Sequence, residues 1–342
     1  MTHTLITPGD AAQPLYFDGH NDTVLRLWRS HRQTAAQAFI EGTEDGHIDL
    51  PKARKGGLGG GLCAIFVMPD PVWANDPAMP ARVAEAPALR DTAQMLALLL
   101  RLARHYPDQF RLCRSTAEIE AAFAAGQFAA VAHIEGAEMI GPDLDALFML
   151  HAAGLRSLGP VWSHPNIFAH GVPFAFPSTP DHGPGLTAAG RDLVRLCNEL
   201  RVMIDLSHLN EAGFWDVARL SDAPLVASHS NAIAIAPHSR NLTDRQLDAI
   251  RDSGGLVGIN LGAGFLNPLG KREAGIGIDI IRRHIDYIVG RIGIGHVALG
   301  SDFDGTLIPH ELSGAADLPK ITALLRPGYN AAEIALFAHG NW

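Results

Sequence analysis

The chain has 342 residues, 47% of them hydrophobic and 18% charged, with a formal net charge of -9. That composition is ordinary for a globular protein with a sizeable core, and the acidic balance, without any basic stripe, excludes nucleic acid as a partner. The apolar run MLALLLRLA is broken by Arg101 and too short for a bilayer, and the first residues lack a basic start followed by an apolar stretch; neither a membrane anchor nor a secretory leader is expected, and the expected location is cytoplasmic.

In chain order, YFDGHND at 16–22 opens a series of short apolar stretches. LCAIFVM (62–68), AAVAHIEG (129–136), LRSLGPVWSH (155–164), RVMIDLSH (201–208), APLVASHS (223–230), GGLVGINL (254–261) and HVALGSDFDG (296–305) follow, with amphipathic segments between them. This is the pattern of parallel strands buried on both faces with helices outside, and eight strands predict an α/β fold of the (β/α)8, TIM-like barrel class spanning 1–342 as a single domain. Residues 187–200 read as a helix capped by Thr187, residues 243–252 as one whose Thr243 and Gln246 form a capping box, and residues 279–289 as a third. The Gly-rich GGLGGG at 56–61 lacks the Lys-Ser/Thr of a phosphate loop and reads as a turn feeding the second strand. The loop 163–185, crowded with Pro, Gly and aromatic residues, is either a wall of a binding pocket or a surface excursion. Cys63, Cys113 and Cys197 are too few and too widely spaced for a disulfide framework or a thiolate zinc site and read as buried thiols, so any metal is held by nitrogen and oxygen.

Ionisable residues gather at the C-terminal ends of the predicted strands, the face on which such barrels carry their sites. His20 and Asp22 end the first strand, Glu135 the third, His164 the fourth, His208 the fifth, His229 the sixth and Asp302 the eighth. Two residues apart in an extended strand, His20 and Asp22 share a face. Each histidine taken alone reads more readily as a satisfied structural residue; their joint placement is what packing does not explain. Three histidines with an Asp and a Glu suit two divalent metals, with zinc expected, and Glu135 is the natural bridge between ions about 3.5–4 Å apart that share a water. His20 and Asp22 would then hold one ion, His208 and His229 the other. His133, two residues before Glu135, reads as a buried histidine below the site. His170, His182 and His238 stay unassigned, while His47 and His284 read as packing or surface residues.

Together FDGHND (17–22), HIDLPKARKGG (47–57), HIEGAE (133–138), IDLSH (204–208), ASHSNA (228–232), HSRNLTD (238–244) and GSDFDG (300–305) resemble the membrane (renal) dipeptidase family, peptidase family M19, within the amidohydrolase-type barrels, over most of the chain. The resemblance implies a binuclear zinc site on His20, Asp22, Glu135, His208 and His229, the five residues that strand ends also select. It further implies that Arg240 binds the substrate's free carboxylate, that His164 steadies the oxyanion, that Asp302 handles the proton, and that the protein forms a homodimer. Asp304 is the rival of Asp302 for that role, with structural support as its alternative. The chain departs from many relatives in reading Glu135-Gly136-Ala137-Glu138, which adds an acid, Glu138, without an assigned role. It also ends at AHGNW, where relatives usually continue the last helix, which leaves open a truncated C-terminus.

The expected activity is hydrolysis of a dipeptide, of L-Xaa-D-Xaa or L-Xaa-L-Xaa type, by a hydroxide bridging the two metals, with side-chain preference left open. Two alternatives stand beside it. One is a related amidohydrolase acting on a lactam, lactone or N-acyl amino acid; the other is a non-catalytic metal-binding or tailoring protein of a biosynthetic cluster.

Overall fold

A computed structural model describes residues 13–68 and 85–342. The segment read above for a secretory leader lies largely outside the described residues. Among them run nine strands: β1 (Tyr16–Asn21), β2 (Leu58–Phe66), β3 (Phe110–Leu112), β4 (Phe128–Glu135), β5 (Leu155–Gly159), β6 (Met203–Ile204), β7 (Val226–Ala227), β8 (Leu256–Ile259) and β9 (Val297–Leu299). Strands β1-β2-β4-β5-β6 form one parallel sheet and β7-β8-β9 another. Parallel bridges Asp205↔Val226 and Asn21↔Phe303 join β6 to β7 and β9 to β1. Backbone bonds from Leu206 N to Val226 O at 2.9 Å and from Asp22 N to Phe303 O at 2.8 Å reinforce these seams. The ring closes as a (β/α)8 barrel, which leaves none of its eight strands with a bare edge.

The additional strand β3 sits outside the ring, pairing with β4 over 128–130 on the edge that β5 occupies from Ala132 onward. Three residues with only Phe110 buried present no period to read. The GGLGGG segment is corrected too: residues 58–61 belong to β2, paired with β1 and β4 along its length, rather than to a turn.

Several strands are shorter than their apolar stretches because side chains capture the backbone groups that would extend the ladder. Asp205 Oδ1 accepts from Ser207 N at 3.1 Å and from Ser228 N at 2.8 Å, and Asp18 Oδ1 accepts from Ser301 N at 2.7 Å. Strands β6, β7 and β9 therefore stop at Ile204, Ala227 and Leu299, and the residues beyond them turn in toward the barrel mouth. Packing is equally close at this level: a Cβ on Gly258 or on Gly300 would come within 1.9 Å of the Ser228 carbonyl oxygen, so only glycine lets β8 and β9 approach it.

The helices seal the outside. Helix Glu85–His105 buries Met95, Leu98, Leu99 and Leu102. The helix Ala188–Leu200 starts on Thr187, whose side chain accepts from Gly190 N, and Asp244–Asp252 starts on the Thr243–Gln246 capping box. The third predicted helix spans Asp279–Ile292. All three cysteines are buried and free. No described helix is long and apolar enough to cross a membrane.

Candidate metal centre

The five residues read as ligands meet around one carboxylate oxygen. Glu135 Oε1, at the end of β4, lies 2.8 Å from His208 Nε2, 3.4 Å from His229 Nε2 and 3.6 Å from His20 Nε2. Asp22 Oδ2 lies 3.4 Å from His20 Nε2, and all five side chains are buried. Two triads follow, His20–Asp22–Glu135 and Glu135–His208–His229, each with its donor atoms within 4.8 Å of one another and Glu135 common to both.

This donor set fits a pair of divalent ions. His20 Nδ1 and Nε2 and Asp22 Oδ1 are buried without a hydrogen-bond partner, a costly arrangement for a polar group unless something else satisfies it. His208 Nε2 and His229 Nε2 face each other at 3.1 Å while their Nδ1 atoms rest on hydroxyls, Ser163 Oγ at 2.9 Å and Ser228 Oγ at 2.8 Å. Imidazole nitrogen with carboxylate oxygen, and no thiolate, is chemistry suited to zinc.

Electrostatics divide the histidines. Burial, with the charges of Arg240 and His20, holds His208 and His229 well below the ordinary range, so both rings are neutral and able to donate a lone pair. Burial also opposes charge on His20, but Glu135, Asp22 and Asp302 outweigh it and push that imidazolium up to about 10. Burial raises the Glu135 carboxyl well above the usual range.

The other predicted residues occupy different positions around this centre. Asp302 has φ 60, a left-handed conformation that Asp tolerates better than most side chains. Its Oδ2 accepts from Asn260 Nδ2 at 2.9 Å, and burial, with the Asp22 charge, pushes the carboxyl up to about 6 against the pull of His20, Asn260 and Arg240. Arg240 is buried; it donates through Nη1 to Ser207 O and through Nη2 to His229 O at 3.2 Å, while its buried Nε has no partner. His164 does not end a strand: β5 stops at Gly159, and His164 stands half-buried on the following loop, 5.1 Å from the Trp162 ring, which in turn lies 5.9 Å from His208.

Asp304, also at positive φ, faces away from this work. It accepts from Thr23 Oγ1 at 2.8 Å and from His47 N at 2.6 Å, and it pairs with Arg26 Nε at 3.1 Å, while its own N–H donates to His47 Nδ1 at 2.8 Å. His284 bonds Ala232 N and the Leu266 carbonyl oxygen. His133 is fully buried, with Nδ1 on Ser157 Oγ at 2.8 Å. Glu138 accepts from Asn166 Nδ2 at 3.4 Å, and its Oε2 is buried and unpartnered.

The loop 163–185 is pinned to the barrel mouth. Val172 N bonds His208 O at 2.9 Å, and Ser239 Oγ receives Ala175 N at 3.1 Å. Half-exposed Phe174 stacks on Phe265 at 5.9 Å and lies 5.4 Å from Trp162, so the loop walls the centre on the His208 side.

Sequence reasoning passed over the polar residues that hold these side chains. Asp18 lies two residues before His20, as Asp22 lies two after it, and its carboxylate accepts Ser301 Oγ at 2.7 Å. A serine directly precedes each of His164, His208 and His229, and two of those serines bond one of these rings directly. The repeated Ser-His pair was the available signal.

Comparison with known proteins follows the same lines. Residues 11–342 match the family described as membrane dipeptidase, peptidase family M19. A metallopeptidase from Rhodobacter sphaeroides, solved with a phosphinate mimic of the dipeptide L-Ala-D-Ala, is 46% identical, superposes with a TM-score of 0.91, and the match covers 96% of this chain and 97% of that one. The M19 metallopeptidase dipeptidase AC is 48% identical with a TM-score of 0.92, covering 96% of each chain. A Klebsiella pneumoniae protein from the 5′ region of pqqA is 49% identical over 253 residues, 73% of this chain and 92% of its own length.

Proposed function

Because this chain belongs to the membrane dipeptidase family, peptidase family M19, and is thereby a metal-dependent dipeptidase, we propose that it cleaves dipeptides bearing a free C-terminal carboxylate, with zinc as its metal. In this reading His20, Asp22 and Glu135 hold one ion and Glu135, His208 and His229 the other. The observation that carries it is the position of Glu135 Oε1, between 2.8 and 3.6 Å from three imidazole nitrogens, one on β1 and the others on the turns after β6 and β7. When bound, the ion pair supplies Lewis acidity toward the scissile carbonyl and lowers the pKa of water at the site.

The chain's own groups do the rest. Arg240 is charged at neutral pH, since burial lowers it only to about 10 against the pull of Asp302, Glu135 and Asp205. Two of its five donors brace the carbonyls of Ser207 and His229, and the unpartnered Nε leads those left to grip the substrate carboxylate. Asp302, ionised at neutral pH, takes a proton from the attacking water and hands it to the departing amine. Asn260 holds Asp302 Oδ2, which leaves Oδ1 for that transfer. His164, beside Trp162 on the loop after β5, donates to the carbonyl oxygen as it gains charge. Dipeptides of L-Xaa-D-Xaa type are the proposed substrates, a reading supported by 46% identity to a peptidase that holds a mimic of L-Ala-D-Ala.

The test pairs elemental mass spectrometry of purified protein with hydrolysis of L-Ala-D-Ala and of its C-terminal amide, before and after chelation. About two zinc per chain and chelator-sensitive cleavage of the free acid alone support the proposal. Equal cleavage of acid and amide removes Arg240 from its role. A chain that takes up no more than one zinc removes the binuclear site.

A further inference from the structure

One heavily hydrogen-bonded acid beside the centre has no part in the proposed reaction. Asp205 follows β6 and is 4% exposed. Its Oδ1 accepts from Ser207 N at 3.1 Å, Ser207 Oγ at 2.9 Å and Ser228 N at 2.8 Å; its Oδ2 accepts from Ser228 Oγ at 2.5 Å. Burial works against its charge, but His133, the Ser228 hydrogen bonds and His20 outweigh it and hold the carboxyl below its ordinary range.

Ser228 Oγ also lies 2.8 Å from His229 Nδ1. A serine hydroxyl has one proton. Asp205 takes it, so toward His229 the oxygen can only accept, and the ring must carry its proton on Nδ1. Nε2 is then left with a free lone pair, 3.1 Å from His208 Nε2 and 3.4 Å from Glu135 Oε1. We infer that Asp205 is a positioning residue for the His208–His229 metal site, fixing His229 through Ser228 in the one tautomer whose Nε2 can bind an ion. This rests on the ligand set proposed above.

Asp205, His20 and His229 also bring donor atoms within 4.8 Å of one another, which makes Asp205 a rival ligand. The hydrogen bonds argue against that role. Both carboxylate oxygens are engaged, and the His229 nitrogen nearest Asp205 is Nδ1, at 3.9 Å, which points at Ser228.

The geometry makes the isosteric Asp205→Asn substitution more than a loss of charge. Three donors converge on Oδ1, so the amide oxygen must occupy that place and the NH2 group the other. The NH2 then donates to Ser228 Oγ, the hydroxyl turns its proton toward His229 Nδ1, and the ring shifts its own proton to Nε2, where it blocks the metal.

Wild type, D205N, S228A and the D205N/S228A double variant, each stripped with chelator and titrated with Zn(II), provide the test. Zinc per chain, affinity by competition with a chromophoric chelator, and 15N shifts of labelled histidine in the metal-free proteins are the readouts. In D205N the weaker zinc is expected to bind about 10–100-fold less tightly, as for loss of an outer-shell partner, with His229 protonated on Nε2. The double variant is expected to bind it more tightly than D205N, because no hydroxyl remains to direct a proton at Nδ1. In S228A alone, His229 is expected to populate both tautomers. Wild-type zinc affinity in D205N, a double variant no tighter than D205N, or an S228A protein whose His229 stays wholly protonated on Nδ1 overturns the inference; the last arm holds even if D205N does not fold. A wild type that binds no more than one zinc overturns the ligand set instead.

Discussion

Glu135 Oε1 and His208 Nε2, from β4 and from the turn after β6, stand 2.8 Å apart, the closest polar contact among the five residues read as ligands. The same oxygen also serves His229 and His20. A neutral amide has a single acceptor oxygen and cannot neutralise two cations. Glu135→Gln is therefore expected to lose both ions on dialysis and to lower dipeptide hydrolysis to the level of chelated wild type. In the metal-free state the His20 pKa should fall from about 10, since Glu135 is the foremost of the charges that raise it. Retention of two zinc by Glu135→Gln would remove the bridging role.

Zinc uptake should depend on pH through His20. In the metal-free centre the His20 imidazolium, pushed up to about 10, must lose its proton before Nε2 can bind an ion, whereas His208 and His229, held low by burial, are already neutral. The proton competes with the metal, and Glu135, raised by burial, competes likewise while protonated, so the affinity of the His20 site should rise at least about tenfold per pH unit between 6 and 8, with one or more protons released on binding. Calorimetry in buffers of differing ionisation enthalpy counts those protons. A pH-independent affinity would contradict the charge assigned to His20.

The sequence made the ring of strands and the five candidate ligands legible, because parallel strands buried on both faces are continuous apolar runs and their ends bear the ionisable residues. Less legible was where each strand stops. IDLSH and LVASHS read as strand to their last residue, but Asp205 diverts the backbone of Ser207 and Ser228, and β6 and β7 keep two residues each. His164 reads as a strand end on the same grounds and lies on a loop instead. Hydropathy reports burial, and a buried turn held by a carboxylate is as apolar in its neighbours as a buried strand. Strand β3, three residues long and outside the ring, is below the length at which alternation can be read.

Arg240 combines a structural and a proposed binding task, and the two can be separated. Arg240→Ala leaves the Ser207 carbonyl without its donor and the His229 carbonyl with only Asn260 Nδ2 at 3.5 Å, at about 1–3 kcal/mol for an unsatisfied group, so the melting temperature should fall. The binding task shows instead in the ratio of kcat/KM for L-Ala-D-Ala to that for its amide. That ratio should drop toward one in Arg240→Ala and recover in part in Arg240→Lys, which keeps the charge without the planar fork. An unchanged ratio in a destabilised variant would leave Arg240 a purely structural residue.

Asp302 and Asp304 lie two residues apart, both at positive φ, yet substitutions at them should fail in opposite ways. Asp304, its side chain 1% exposed, binds Thr23, His47 and Arg26. Asp304→Ala removes the carboxylate nearest Arg26, which keeps the Ile48 carbonyl and the longer pair with Asp45 at 3.5 Å, and should cost about 1.5–3 kcal/mol, while kcat per folded molecule changes little. Asp302→Asn keeps the hydrogen bond from Asn260 and should melt near wild type, but kcat should fall on the order of 10²–10⁴-fold for loss of a proton carrier. The pH profile gives the sign. Asp302 must be ionised to accept a proton, so below its pKa, at or under about 6 once cations lie beside it, the wild-type rate should fall about tenfold per unit, and this acid limb should vanish in Asp302→Asn. Denaturant melts and pH–rate profiles of the two variants decide the matter. An Asp304→Ala protein that is stable but inactive would exchange the roles of the two carboxylates.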